Sequence, residues 1–183
     1  MTRKFHDLLV HNEECVEFGE KELGYFKVHG KDVNYVEKGY KTDKNKINIL
    51  EAGDLKRNKK IIRTNNADVL LNPVEPDERP FDTSIAEIAR ENDVAVAITL
   101  KKLLKYRGTD KIKYFRSLQY LGKILRRRKC PLIITSGAKE KLEMRKPMDL
   151  ASIAHIAGYS KEEALETISN NVEKINTIKN DRK

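Results

Sequence analysis

The chain has 183 residues, 39% hydrophobic and 36% charged, a length and balance suited to one domain with a single substantial core. No apolar run approaches the ~18 residues of a membrane helix and no charged-then-apolar leader is present, so neither a membrane span nor a secretory signal is expected. The net charge of +9 turns attention to acidic or phosphate-bearing partners once the cations are located along the chain.

Residues 4–11, KFHDLLVH, read as a strand in which Leu8 and Val10 alternate with polar partners. Residues 13–23 carry Cys15 or Val16, Phe18 and Leu23 at loosely helical spacing, with Gly24 as a stop, and residues 25–28 read as a second strand. Residues 30–46 are polar and read as an irregular loop or a weak hairpin. Residues 47–52 form a third strand, after which Asp54 caps a basic helix over about 55–64 that carries Lys56 and Arg63. Residues 67–71 form a fourth strand ending at Asn72-Pro73, and the acidic, proline-bearing segment 74–80 reads as a surface loop. Asp82-Thr83 starts a helix with Ile85, Ile88 and Ala89 on one face, followed by the fully apolar strand 94–99.

Residues 101–108 form a short basic turn or helix bearing Arg107, and Thr109 or Asp110 caps the longest helix, through about 129. Its expected core face is Ile112, Phe115, Leu118, Leu121 and Leu125; Lys113, Arg116, Tyr120, Lys123 and Arg127 form a separate stripe about 80° wide at 100° per residue. Segment 101–146 holds 16 Lys/Arg against 3 Asp/Glu, while the rest of the chain holds 21 against 25. Such clustering, rich in Arg, is the footprint of a nucleic-acid surface, and four cations around one tyrosine suit phosphates and a stacked base. The competing reading, cations answering the helix dipole, covers Arg126 to Lys129 but not Lys113 and Arg116 in the first turns.

The strand 131–135 runs into Thr135-Ser136-Gly137-Ala138, hydroxyls at a strand's C-terminal end that serve either as turn chemistry or as binding groups. A helix over 149–157 with Asp149 as N-cap follows, then one over 161–178 with a Ser160/Glu163 capping box and a fraying tail at 180–183. The cysteines, Cys15 and Cys130, lie far apart with no metal-ligand spacing beside them, which suits thiols in a reducing cytoplasm and disfavours zinc. Six strands separated mostly by helices imply a parallel α/β sheet, and periodicity alone leaves an open sheet and a closed barrel both standing. No glycine-rich phosphate loop follows a strand.

The run ITSGA, the step Arg145-x-Pro147-x-Asp149-Leu150 and a helix end at Gly158 resemble the archaeal ribonuclease P protein component 3 family, counterpart of the thirty-kilodalton eukaryotic subunit. The likeness extends through DVLLNP (68–73), AEIARENDVAVAITLKKLL (86–104) and Arg107, covering roughly residues 47–175. It implies a TIM-barrel-like parallel barrel of the PHP type, surrounded by helices, with one strand absent or hidden in 30–46. It also implies a subunit of the ribonucleoprotein that removes 5′ leaders from precursor tRNA, in which the RNA, with magnesium, performs the chemistry. The expected partners are that RNA, precursor tRNA indirectly, and other protein subunits, notably component 2; the expected location is cytoplasmic, away from membranes. The expected RNA-binding residues are Lys56, Arg63, Arg107, Lys113, Arg116, Tyr120, Lys123, Arg127, Ser136 and Arg145, with Ser136, Arg107 and Arg145 on one rim and Arg145 alternatively tied to a carboxylate such as Asp149. No catalytic or metal-binding residue is expected.

The alternatives are a free-standing PHP-type metal-dependent phosphoesterase and another RNA-binding ribonucleoprotein component. PHP enzymes typically carry Asp-x-His-x-His on the first strand, whereas Asp7-Leu8-Leu9-Val10-His11 places a leucine, which cannot ligate metal, at the first histidine position. His6 points to the opposite face from His11 and is no substitute, leaving only His11, Asp7 and Glu51 as scattered candidates.

Overall fold

In the computed structural model, which describes residues 3–64 and 67–181, the strands are β1 (His6–Asp7), β2 (Lys27–Val28), β3 (Val33–Val36), β4 (Ile47–Glu51), β5 (Val69–Leu71), β6 (Ala95–Thr99) and β7 (Leu132–Thr135). The ladder β3-β4-β5-β6-β7 is parallel throughout and follows chain order; β1 and β2 form a second parallel pair. The chain beyond β1 then closes onto β7. Leu9 N donates to Thr135 Oγ1 at 2.8 Å, Gly137 N to Leu9 O at 3.0 Å, and His11 N to Ala138 O at 2.8 Å. The wall is therefore a TIM-barrel-like ring of seven parallel strands. Among the described residues no ladder joins β2 to β3, and residues 29–32 between them fall far short of the crossover of about a dozen residues that parallel neighbours need. The ring is incomplete at that seam. The strand sought within 30–46 is β3, while the first strand is shorter than the expected 4–11.

Alternation along the strands sorts two cores. Ile47, Ile49, Val69, Leu71, Ala95, Ala97 and Ile133 point into the barrel, each no more than 4% exposed. Their neighbours Leu50, Leu70, Val96, Ile98, Leu132 and Ile134 pack outward against the helices, which is why these strands are apolar on both faces. The outer layer comprises α1 (Glu13–Glu22), α2 (Leu55–Arg63), α3 (Thr83–Glu91), α4 (Leu100–Lys105), α5 (Gly108–Arg128), α6 (Pro147–Ile156), α7 (Lys161–Glu166) and α8 (Asn170–Asp181). Asp54 and Asp82 cap α2 and α3 through their carboxylates, and Ser160 with Glu163 forms the expected capping box.

Four features of the helices differ from those expected. Helix α5 starts at Gly108 with Arg107 at its N-cap and no side-chain cap, in place of a cap at Thr109 or Asp110. Helix α6 begins at Pro147, two residues before Asp149, because proline suits a first helical turn whose N–H would be unsatisfied anyway. The buried face of α5 is Tyr114, Leu118, Leu121, Gly122, Ile124 and Leu125; Ile112 is 55% exposed, and Tyr114, stacked on Tyr106 at 4.8 Å, takes the core position instead. The expected helix 161–178 breaks at Thr167–Ser169. Strand backbones claim the carbonyls there: Ile134 N donates to Thr167 O at 3.2 Å and His6 N to Ile168 O at 2.7 Å. Helix α8 then turns beneath the barrel, adding Val172 and Ile175 to its interior, and Lys179 Nζ reaches the buried Asp68 carboxylate at 3.0 Å. Asn180 and Asp181 belong to that helix; Arg182 and Lys183, also assigned to a fraying tail, lie outside the described residues.

Candidate nucleic-acid interface

Helix α5 can expose a long polar face because its opposite face is fully occupied by the core. Arg116, Lys123 and Arg127 are exposed along that face, and Arg126 beside them stacks on Tyr159 at 5.4 Å. The acidic loop reaches two positions of the stripe, Lys113 and Tyr120, and leaves Arg116 between them exposed. Asp77 pairs with Lys113, and the Arg79 guanidinium lies 4.6 Å over the Tyr120 ring. Tyr120 therefore already has a cationic stacking partner, and the charge of Lys113 is partly answered within the chain. Lys56 and Arg63 are exposed on α2 and Arg107 at the start of α5, as a phosphate-facing role requires.

Ser136 does not fit that role. It is 1% exposed, its N donating to Asp7 Oδ1 at 3.0 Å and its Oγ accepting from Ala138 N at 3.2 Å, so it closes the turn after β7 and presents nothing to a ligand. Arg145 is exposed but folds back on its own loop: Nη1 donates to Leu142 O at 2.9 Å and Met144 O at 2.7 Å. Its carbonyl accepts from Tyr25 Oη at 2.9 Å. The arginine is a tie to carbonyls rather than to the Asp149 carboxylate, and the three residues expected on one rim are not equivalent: only Arg107 is both exposed and free of a described tie.

The C-terminal mouth of the barrel holds a second cationic group. A cavity of about 550 Å³ opens there, edged by Lys101, Lys102, Lys105 and Lys139. Lys101 pairs with Glu143 at 2.9 Å and Lys102 with Glu75. Sequence reasoning counted these lysines in the basic segment without assigning them a site. The only local signal is their placement just after β6 and β7, where α/β folds present their binding groups.

The residues of the altered first-strand motif sit beside this mouth. Leu9, 2% exposed, fills the barrel interior where a ligating histidine would stand. Asp7 is fully buried; its Oδ1 accepts from Thr135 Oγ1 at 2.5 Å and from Ser136 N, while Oδ2 has no hydrogen-bond partner among the described residues. Burial pushes the Asp7 carboxyl above its ordinary range, against the hydrogen bonds from Ser136 and Thr135. Burial lowers the His11 imidazole, as do Lys139 and Lys101. Among the described residues no group of three or more His, Cys, Asp or Glu side chains is placed to hold a metal ion.

Asp7 gives a pH test of this burial. A folded value above the unfolded one contributes stability that is fully present below the unfolded pKa of about 3.9 and is lost as pH rises through the folded one. Asp7→Asn keeps an acceptor for Thr135 and Ser136 but cannot ionise. Its melting temperature is expected to match the unsubstituted chain below about pH 4 and to exceed it increasingly toward neutral pH. A deficit of constant size across the pH range would show that Asp7 holds the turn by hydrogen bonding alone.

An incomplete parallel α/β barrel with one strongly basic outer helix places this chain among TIM-barrel-like proteins. It is similar to an amidohydrolase crystal structure with a TM-score of 0.52 at 10% identity, over 90% of this chain and 46% of that one. The cryo-EM structure of archaeal ribonuclease P with mature tRNA contains a chain matched with a TM-score of 0.73 at 18% identity, over 96% of this chain and 82% of that one. The family model for RNase P subunit p30 matches residues 31–183, and the chain belongs to that family. Ribonuclease P protein component 3 of Methanococcus maripaludis is 32% identical over 142 residues, 74% of this chain and 61% of the relative. The chain thus spans about three fifths of the length of that curated relative. No described helix is long and apolar enough to cross a membrane.

Proposed function

We propose that the chain is a protein subunit of ribonuclease P, the ribonucleoprotein that removes the 5′ leader of precursor tRNA, and that it binds and stabilises the RNA rather than performing the cleavage. The observation that carries this reading, beside family membership, is the exposed Arg116, Lys123 and Arg127 on the outer face of α5, a row of cations facing solvent with no carboxylate paired to it among the described residues. Such a row engages phosphates without reading sequence. Magnesium is required by the RNA component, and the protein itself binds no cofactor. Its partners are the ribonuclease P RNA, other protein subunits, notably component 2, and precursor tRNA through the assembly, in the cytoplasm. Recovery of the tagged chain from cells, with sequencing of the co-purified RNA and identification of the co-purified proteins, tests this. Enrichment of ribonuclease P RNA with its protein subunits is the expected result. Recovery of a different RNA, or of none, would reject the assignment.

A further inference from the structure

The barrel mouth carries groups that a row of phosphate contacts does not use. Its deep wall is apolar, formed by Leu9 and Leu71. The His11 ring packs edge-on against Tyr35 with centroids 5.3 Å apart, which offers aromatic surface at the opening. Glu51, at the C-terminal end of β4, faces the cavity and is held from two sides. Tyr35 Oη donates to its Oε2 at 3.3 Å and Asn72 Nδ2 to its Oε1 at 3.2 Å. Asn72 is itself fixed, since its Oδ1 accepts from Thr99 N at 2.9 Å and Thr99 Oγ1 at 3.2 Å. The carboxyl therefore has a set orientation and spare lone pairs directed to the cavity. At the lip, Lys105 and Lys139 have no ion pair among the described residues, unlike Lys101 and Lys102.

From this arrangement we propose that the barrel mouth is a pocket for one unstacked nucleotide. The base enters against Leu9, Leu71 and the His11–Tyr35 pair, Glu51 accepts from an amino group on the base edge, and Lys105 and Lys139 contact the phosphate. The cavity volume of about 550 Å³ lies within the span of small-ligand sites. Aromatic and apolar surface binds a base by stacking, and a carboxylate accepts from the amino group of cytosine. A bare phosphate would leave the apolar wall unused and would meet the Glu51 carboxyl. A bare metal ion would face four lysines. Adenine, cytosine and guanine carry an exocyclic amino group and uracil does not, so the pocket ranks uracil last. The ligand is the same unit whether it is a free nucleoside monophosphate or an unpaired residue of an RNA strand. The pocket is distinct from the α5 stripe, so its failure would leave the assembly reading standing.

The test is calorimetric titration of the full chain at low salt with CMP, GMP, UMP and inorganic phosphate, repeated with Lys105→Glu/Lys139→Glu and with Glu51→Gln. CMP and GMP are expected to bind about tenfold more tightly than phosphate, since stacking one base contributes about 1–3 kcal/mol. The double charge reversal, at exposed positions that leave the melting temperature unchanged, lowers nucleotide affinity about tenfold or more, and Glu51→Gln narrows the gap between CMP and UMP. A short unpaired oligoribonucleotide that displaces bound CMP identifies the occupant as a residue of an RNA strand; bound CMP that resists displacement identifies a free nucleotide. Absence of saturable nucleotide and oligonucleotide binding, phosphate binding as tight as CMP, or an unchanged affinity in the folded charge-reversal variant would each overturn the proposal.

Discussion

Gly122→Ala is expected to lower the melting temperature by about 10 °C, the largest stability loss from removing no interaction at all. Gly122 lies on the buried face of α5 where it crosses α6, and a Cβ there would stand 2.0 Å from the carbonyl oxygen of Ala157 and 3.0 Å from its carbonyl carbon and Cβ. Two effects oppose each other. Alanine is favoured over glycine within a helix by about 1 kcal/mol. Overpacking costs typically 1–3 kcal/mol and more when the obstacle is backbone, which cannot move to another rotamer. The clash wins by about 3 kcal/mol, a cost of about 4 against a gain of about 1, and with about 2–4 °C per kcal/mol for a chain of this size the shift is about 10 °C. The matched control, Gln119→Ala on the exposed side of the same helix, should leave the midpoint nearly unchanged. A Gly122→Ala chain that melts at or above the parent temperature would mean that α5 and α6 do not cross this closely.

The largest functional effect is expected from Arg116→Ala, Lys123→Ala and Arg127→Ala combined. All three side chains are exposed and away from the core face, so their removal should leave the melting temperature within a degree or two. Each phosphate contact contributes roughly 0.7 to 0.9 to the slope of log affinity against log salt, so three lost contacts should flatten the slope by about 2 to 3. At physiological salt the affinity for structured RNA should fall by about ten- to a hundredfold. Lys113→Ala alone should do less, because Asp77 already holds that ammonium. A folded triple variant with an unaltered salt slope would reduce the stripe to a solvated surface.

The barrel strands were legible because burial on both faces writes itself as an unbroken apolar run, as in 94–99 and 131–135. Strand β3 was not, since Val33-Asn34-Tyr35-Val36 sits at the open seam with two half-buried positions and carries no such run. The break between α7 and α8 left only a faint trace in Thr167 and Ser169, whose hydroxyls bond back to the carbonyls of Ala164 and Leu165 at 2.6 Å. Its cause is tertiary: the strands β1 and β7 take the carbonyls that would have continued the helix.

On the candidate interface, helical periodicity identified the α5 stripe, but not that the 74–80 loop engages Lys113 and Tyr120. The charge of Asp77 and the stacking of Arg79 act through space, with Asp77 and Lys113 36 positions apart in the chain. Ser136 shows the reverse error. A hydroxyl after a strand looks like a ligand group until a distant carboxylate, here that of Asp7, claims its backbone.

The most direct test of the central claim is leader cleavage of precursor tRNA by reconstituted ribonuclease P RNA and its other protein subunits, at limiting magnesium, with and without this chain. Addition of the chain is expected to raise cleavage and lower the magnesium requirement, while the chain alone cleaves nothing; efficient cleavage by the chain alone, or a reconstituted enzyme indifferent to its presence, would contradict the account.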